Sequence, residues 1–266
     1  MAFYKKLKRI LLYFFVALVV AASSFYIWMQ DKYVVPIMMY HSVDYEYHHL
    51  EESGNVVRPE YFRQHMEYLK KFKYNVIGVD ELIEGIKSGR RFPHNNVVIT
   101  FDDGYVDNYV YALPILKEYH YPFMLAIISD LIGKEGFLTW DQVKEMAQAG
   151  AIIVSHSRTH AYLPMVSREK QYDEIVNSKK IIEQKLGIRV KYFVYPIGGF
   201  TGDIKKIVKE AGYEAAFTTN RGYDRYNKDV YELDRIRFGK HKPNPYFLRL
   251  KLSGFYNFFR ESKPGY

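Results

Sequence analysis

The sequence predicts an α/β fold: a distorted (β/α) barrel of about seven parallel strands, preceded by a transmembrane helix. Three observations carry this. From Tyr33 onward, short apolar runs rich in β-branched residues alternate with segments whose apolar residues recur at helical spacing. The chemically distinctive residues, at Asp102-Asp103, His156 and Pro196-Ile197, fall just after apolar runs, the placement typical of a barrel's reactive end. Finally, Ile10 to Gln30 carries no charge. At ~1.5 Å per residue, that run reaches roughly 30 Å, one hydrocarbon thickness.

The elements follow in order. Lys5, Lys6, Lys8 and Arg9 precede the apolar run and keep that end on the cytoplasmic side, while Tyr26 and Trp28 fall at the outer interface. Two readings of the run stand: an uncleaved anchor, or a signal peptide cut near Val20-Ala21-Ala22. Both send the rest of the chain across the membrane. Val34 to Tyr40 reads as a buried strand. Pro59 starts a helix to about Phe72, with Phe62, Met66 and Leu69 on one face, and Asp80 to Lys87 is a short helix. Asn96 to Phe101 is a strand that delivers Asp102 at its end. A helix from Val106 to Tyr119 contains Pro114, expected to kink it. Phe123 to Ile128 is a strand, and Thr139 caps a helix from Trp140 to Ala149 that stops at Gly150. Ala151 to Ser155 is a strand ending at the histidines. Ser167 caps a long helix that stops at Gly187. Tyr192 to Tyr195 is a strand, Asp203 to Ala211 a helix stopped by Gly212, Ala215 to Thr218 a strand, and Tyr231 to Ile236 a final one. The polar stretch Asp44 to Arg58, with His48, His49 and Gly54, reads as a loop.

A chain of 266 residues is long enough for one large core. The division expected is a basic stub and anchor (or signal peptide) at 1–30, a catalytic barrel at 31–240 and a basic, aromatic tail at 241–266. With no cysteine, any metal site must use histidine and carboxylate. Net charge is +8, and setting aside the four N-terminal cations leaves +4, too little to signal nucleic acid. Tyr and Phe are abundant, at 26 and 18. Their faces suit sugar rings, although most such residues serve core packing. The tail interleaves His241, Lys242, Arg249, Lys251, Arg260 and Lys263 with Tyr246, Phe247, Phe255, Tyr256, Phe258 and Phe259. It rests either on the domain or on an anionic membrane surface.

The central constellation is Thr100-Phe101-Asp102-Asp103-Gly104 with Ser155-His156-Ser157-Arg158-Thr159-His160. Asp103, His156 and His160 make a carboxylate-plus-two-imidazole set suited to a divalent metal with an open position. If residues 156–160 form one helical turn, both imidazoles face the same way. Asp102 beside that set is free to act as a base. Together these describe a hydrolase site.

These two segments resemble the first two signatures of the polysaccharide deacetylase (NodB-homology, carbohydrate esterase family four) family. Phe193-Val194-Tyr195-Pro196-Ile197-Gly198 resembles part of the third, and the resemblance spans roughly Val34 to Ile236. Met38-Met39-Tyr40-His41-Ser42 is similar to the N-terminal signature of the biofilm poly-β-1,6-N-acetylglucosamine deacetylase subgroup, in which the family's last motif is permuted to the front.

The resemblance implies a metal, usually zinc (with Co²⁺ or Ni²⁺ as alternatives), on Asp103, His156 and His160. It implies Asp102 as general base, His41 as general acid and the Ile197 N–H as oxyanion donor. Two departures stand out. The family's third motif begins with an arginine that orients the base, and Val194 occupies that place, so Arg235 is the expected substitute. The acid-plus-tryptophan motif is missing downstream. Trp140 and Tyr195 are the expected substrate contacts.

The implied function is metal-dependent release of acetate from an extracellular N-acetylglucosamine polymer. The implied partners are the cytoplasmic membrane and a polysaccharide synthase or exporter, with no nucleic acid. The alternatives are deacetylation of peptidoglycan, chitin oligomers or xylan, and a non-catalytic polysaccharide-binding export component.

Overall fold

The structure, a computed structural model, describes residues 2–45, 54–221 and 224–260. It begins with α1 (Ala2–Gln30), a single helix that takes in the basic cluster as well as the apolar run. Phe3–Gln30 is long and apolar enough to cross a membrane, and none of its most apolar window is buried against protein. A helix of this length and composition near the N-terminus suits a membrane span or a signal sequence.

The strands are β1 (Ile37–Tyr40), β2 (Ser42–Val43), β3 (Val56–Val57), β4 (Asn75–Val76), β5 (Asn96–Phe101), β6 (Phe123–Ile127), β7 (Ala151–Ser155), β8 (Tyr192–Val194), β9 (Ala215–Phe217) and β10 (Ile236–Arg237). The helices after α1 are α2 (Pro59–Lys71), α3 (Val79–Lys87), α4 (Leu113–Tyr119), α5 (Trp140–Gln148), α6 (Arg168–Tyr172), α7 (Ser178–Leu186), α8 (Gly202–Glu210), α9 (Pro245–Lys251) and α10 (Tyr256–Phe259).

Seven strands run in the order β10-β1-β5-β6-β7-β8-β9, all neighbours parallel, with β4 added beside β5. An isolated parallel bridge joins Leu233 to Phe217 of β9, and the Arg235 N–H donates to Thr219 O at 2.7 Å. The segment running into β10 therefore ties both edges of the curled sheet together, which gives the barrel character expected.

Alternation along the strands separates two cores, as the two-residue repeat requires. Ile37, Val98, Met124, Ala126, Val154, Tyr192, Val194, Ala215, Phe217 and Leu233 pack with each other and with Ile77, Val79 and Leu82 around the start of α3. The intervening residues, among them Met38, Ile99, Phe101, Leu125, Ile153, Phe193 and Ala216, pack with the outer helices. His41, Asp102, His156 and Arg235 continue the first set's parity past or along the strand ends, so the sequence positions that carry chemistry share the inward face.

Several boundaries differ from expectation for identifiable reasons. The first strand begins at Ile37 because Pro36 has no N–H for the ladder. The kink assigned to Pro114 takes the form of a π turn, Asn108–Ala112, in which the Leu113 N–H reaches Asn108 O five residues back. The final strand shrinks to Ile236–Arg237. The loop expected over Asp44 to Arg58 contains β3 in its described part. His48 and His49 lie outside the described residues. Leu248 and Leu252 of the C-terminal segment are buried in the outer core, and Arg260 Nη1 donates to Arg235 O at 2.9 Å, so the segment through Arg260 rests on the domain.

Candidate active site

β5 ends by handing its last pairing group to the site: the Asp102 N–H donates to Tyr40 O at 2.9 Å, level with His41 across the sheet. Asp103 then adopts φ 74° and Gly104 φ 80°. Two left-handed residues in succession reverse the alternation of a strand, so adjacent aspartates both face the mouth. Glycine suits position 104 on two counts, the left-handed φ and a tight 3.2 Å approach that a Cβ would make to Ile127 and Ile132 side-chain atoms.

Asp102 is held by a buried bidentate pair. Arg235 Nη1 and Nη2 each donate to one carboxylate oxygen at 2.7 Å, and Arg235 is 1% exposed. The same guanidinium donates to Thr218 O and Thr100 Oγ1. Burial alone raises the Asp102 carboxyl; the charge and hydrogen bonds of Arg235 outweigh it and hold the group below the usual carboxylate range. Arg235 thus stands where the sequence reading sought a replacement for the arginine missing at Val194. Val194 does something different: its backbone carbonyl accepts from His156 Nδ1 at 2.8 Å, which leaves Nε2 free to face Asp103.

Asp103 Oδ1 lies 3.4 Å from His156 Nε2 and 3.6 Å from His160 Nε2. All three candidate ligand atoms lie within 4.8 Å of one another. Ligands ~2.0–2.1 Å from a tetrahedral centre should be roughly 3.3 Å apart. The two distances from Asp103 are close to that value, and Asp103 Oδ1 is buried with no hydrogen bond of ordinary geometry, as a cation ligand would be. The electrostatics agree. Burial opposes charge on Asp103, yet its bond to His156 and the surrounding imidazoles hold its carboxyl well below the usual range. His156 is pulled down by burial and, on balance, raised by Asp103 and Asp102. His160 is pushed down to about 4 by burial and then by His156, which favours the neutral, ligating form.

The helical turn expected over 156–160 is absent. Ser157 and His160 both have φ 65°, and the rings meet at 71° with centroids 4.8 Å apart. The loop is built by other bonds: the His160 N–H donates to Ser157 Oγ, and the Ser129 and Asp130 N–H groups donate to the Ser157 and Arg158 carbonyls. Two imidazoles four apart converge here through a left-handed loop rather than through helical periodicity.

His41 follows β1. Its Nδ1 is buried without a partner, and its backbone carbonyl accepts from Asn108 Nδ2 at 2.8 Å. Burial lowers its pKa, Asp103 and Asp102 raise it, and Arg235 and Arg237 lower it again, for a net fall. Ile197 is half exposed at φ 58°, a costly conformation for a β-branched residue, of order 1–3 kcal/mol. Strain of that kind persists only where neighbours impose it, and Thr218 Oγ1 donating to Gly198 O at 2.7 Å is one such constraint.

Tyr195, expected at the substrate, is a core residue. It is fully buried, stacked on Phe200, with its hydroxyl donating to Tyr231 O. Its place at the end of β8 puts the ring on the helix side of the sheet, with Phe193. Trp140 is half-buried against the outer core at the start of α5, whose cap is a full capping box between Thr139 and Gln142. The segment before it is tied to the aspartate turn by Leu138 N–H to Gly104 O and by Tyr105 stacked on Phe137.

Three contributors escaped the sequence reading. Tyr105, directly after the aspartate turn, has its phenol pushed up by burial and by the Asp103 carboxylate beside it. Asp107 accepts from Ser42 Oγ at 2.6 Å and from the Val43 N–H at 3.0 Å, fixing the chain just past His41. Glu174 accepts from the His156–His160 loop. Adjacency to the motif was available as a signal for Tyr105; no spacing pointed to the other two.

Comparison with known proteins identifies relatives of this chain. The model of the polysaccharide deacetylase family matches residues 89–216. The inferred polysaccharide deacetylase YxkH of Bacillus subtilis is 33% identical over 205 residues, covering 76% of this chain and 71% of its own. The poly-β-1,6-N-acetyl-D-glucosamine N-deacetylase of Staphylococcus epidermidis is 28% identical over 68% of this chain and 67% of that enzyme. Among solved structures, the Streptococcus pyogenes deacetylase PplD in complex with acetate superposes with a TM-score of 0.72 at 29% identity, covering 82% of this chain and 97% of PplD.

Proposed function

The chain belongs to the polysaccharide deacetylase family, and from that premise we propose that it hydrolyses N-acetyl groups on an extracellular poly-β-1,6-N-acetylglucosamine, releasing acetate. The observation that carries the reading is the Asp103, His156 and His160 triangle beside an aspartate locked by Arg235. The choice of polymer draws on the staphylococcal relative's named activity and on the His41 segment at the chain's front.

In this reading a divalent cation, zinc by the nitrogen and oxygen character of the donors, would be held by Asp103, His156 and His160 and would supply Lewis acidity to water and to the acetyl carbonyl. Asp102 accepts the proton of the attacking water, and its pair with Arg235 keeps it ionised and aimed. The Ile197 N–H faces the oxygen on which charge develops. His41 gives a proton to the departing amine, without which an amide is a poor substrate. Its burial keeps the resting imidazole neutral, and negative charge building nearby raises its pKa as the proton is needed. Half-buried Trp140 offers a stacking face to sugar. α1 holds the domain at the membrane, where a synthase or exporter delivers polymer.

Acetate release from defined oligomers tests the reading. The full-length protein should deacetylate β-1,6-linked N-acetylglucosamine oligomers faster than peptidoglycan fragments, chitin oligomers or acetylated xylan, and a chelator should stop it. Faster turnover of one of the other substrates would reassign the polymer, and no turnover of any would favour a binding role. Within the same assay, His41→Ala should lower kcat/KM by roughly 10²–10⁴-fold with metal content unchanged. Undiminished turnover would remove His41 from the mechanism.

A further inference from the structure

We infer that Glu174 is a positioning residue that holds His160 in place by shaping residues 157–159; the inference rests on the reading of Asp103, His156 and His160 as metal ligands. The two histidines are secured by different means. His156 continues β7: its N–H donates to Ile127 O at 2.9 Å and its Nδ1 faces Val194 O. The sheet itself fixes it. His160 lies beyond a loop with left-handed residues at both ends, where no strand or helix ladder can take up the inner N–H groups.

Glu174 takes them up. Its side chain is fully buried on the π turn Asp173–Asn177. Oε2 accepts from the Arg158 and Thr159 N–H groups, both at 2.8 Å, and Oε1 accepts from Thr159 Oγ1 at 2.6 Å. Lys170 Nζ, 2.9 Å from Oε1, balances the charge. Burial raises the Glu174 carboxyl, and these donors more than offset it, so the acceptor stays ionised. Charge-assisted bonds of this kind are stronger than neutral ones, and two part-buried N–H groups would lose their acceptor without it. The outer braces, Arg158 to Asp130 and Asp173, are partly exposed and correspondingly weaker. A carboxylate that never touches the cation thus decides where one of its ligands stands.

The test measures Zn²⁺ affinity of the full-length protein by competition with a chromophoric chelator. Glu174→Gln should weaken binding 10–100-fold. Ile182→Val, buried in the same helical segment, should lower thermal stability and leave affinity unchanged. Glu174→Asp, which keeps the charge on a shorter arm, should fall between wild type and Glu174→Gln. If Glu174→Gln does not fold, Thr159→Val, which removes one donor, should still weaken Zn²⁺ several-fold. Wild-type affinity in Glu174→Gln or Thr159→Val, or a parallel fall in Ile182→Val, would overturn the inference. His160→Ala separates the two levels: loss of Zn²⁺ there with intact binding in Glu174→Gln sinks this inference alone, whereas retained Zn²⁺ in His160→Ala sinks the ligand reading beneath it.

Discussion

Asp103→Ala should lose bound metal and turnover together, leaving acetate release at the assay background. Asp103 Oδ1 is the shared vertex of the triangle, 3.4 and 3.6 Å from the two imidazole nitrogens. It belongs to the only carboxylate among the three groups. Its removal leaves two neutral imidazoles, a weak site for a cation that must shed water to bind. His156 should change as well, because Asp103 is the main influence raising its pKa against burial. Metal analysis of the purified variant beside an acetate assay decides the matter. A variant that keeps a full equivalent of metal, or keeps turnover after chelation, would show that the ligand set is elsewhere.

Asp102→Asn should produce the opposite pairing: metal retained, kcat/KM lower by about 10²–10⁴-fold. The amide keeps the shape and cannot take a proton. It also leaves the Arg235 guanidinium buried without a counter-charge, so stability should fall by about 3–5 kcal/mol, and the comparison belongs at a temperature where both proteins are folded. Arg235→Gln probes the same pair from the other side. The folded-state pKa of Asp102 is depressed, so the carboxylate persists as pH falls to below the ordinary carboxylate range. Without Arg235, burial is left to act, the pKa rises, and the acid limb of kcat/KM against pH moves upward. An unchanged acid limb in Arg235→Gln would mean that Asp102 does not govern that limb. Full activity in Asp102→Asn would mean that it is not the base.

The strand ends were readable because each is marked chemically. Apolar β-branched runs stop at Asp102, at His156 and at Pro196, and parallel strands in a curled sheet bring such ends to one rim. Arg235 is marked differently, as a cation near the end of the domain where Val194 stands in the place of an arginine. Motif proximity says nothing about which side of the sheet the Tyr195 ring takes; the two-residue repeat puts it with Phe193 in the outer core. The four-residue spacing of His156 and His160 has more than one geometric origin, and left-handed Ser157 and His160 leave no compositional mark.

Local chemistry therefore determined which side chains could ligate a cation or accept a proton, and hydrophobic periodicity determined that a parallel α/β sheet would carry them. The tertiary structure alone decided which of them meet. Arg235 reaches Asp102 across 133 positions because the last strand segment ties the two edges of the sheet together, and Glu174 reaches the histidine loop because a π turn passes beneath it. The Arg235 contact depends on how the two edges of the curled sheet meet, and the Glu174 contact on how a helix packs against a loop, neither of which a local sequence pattern contains.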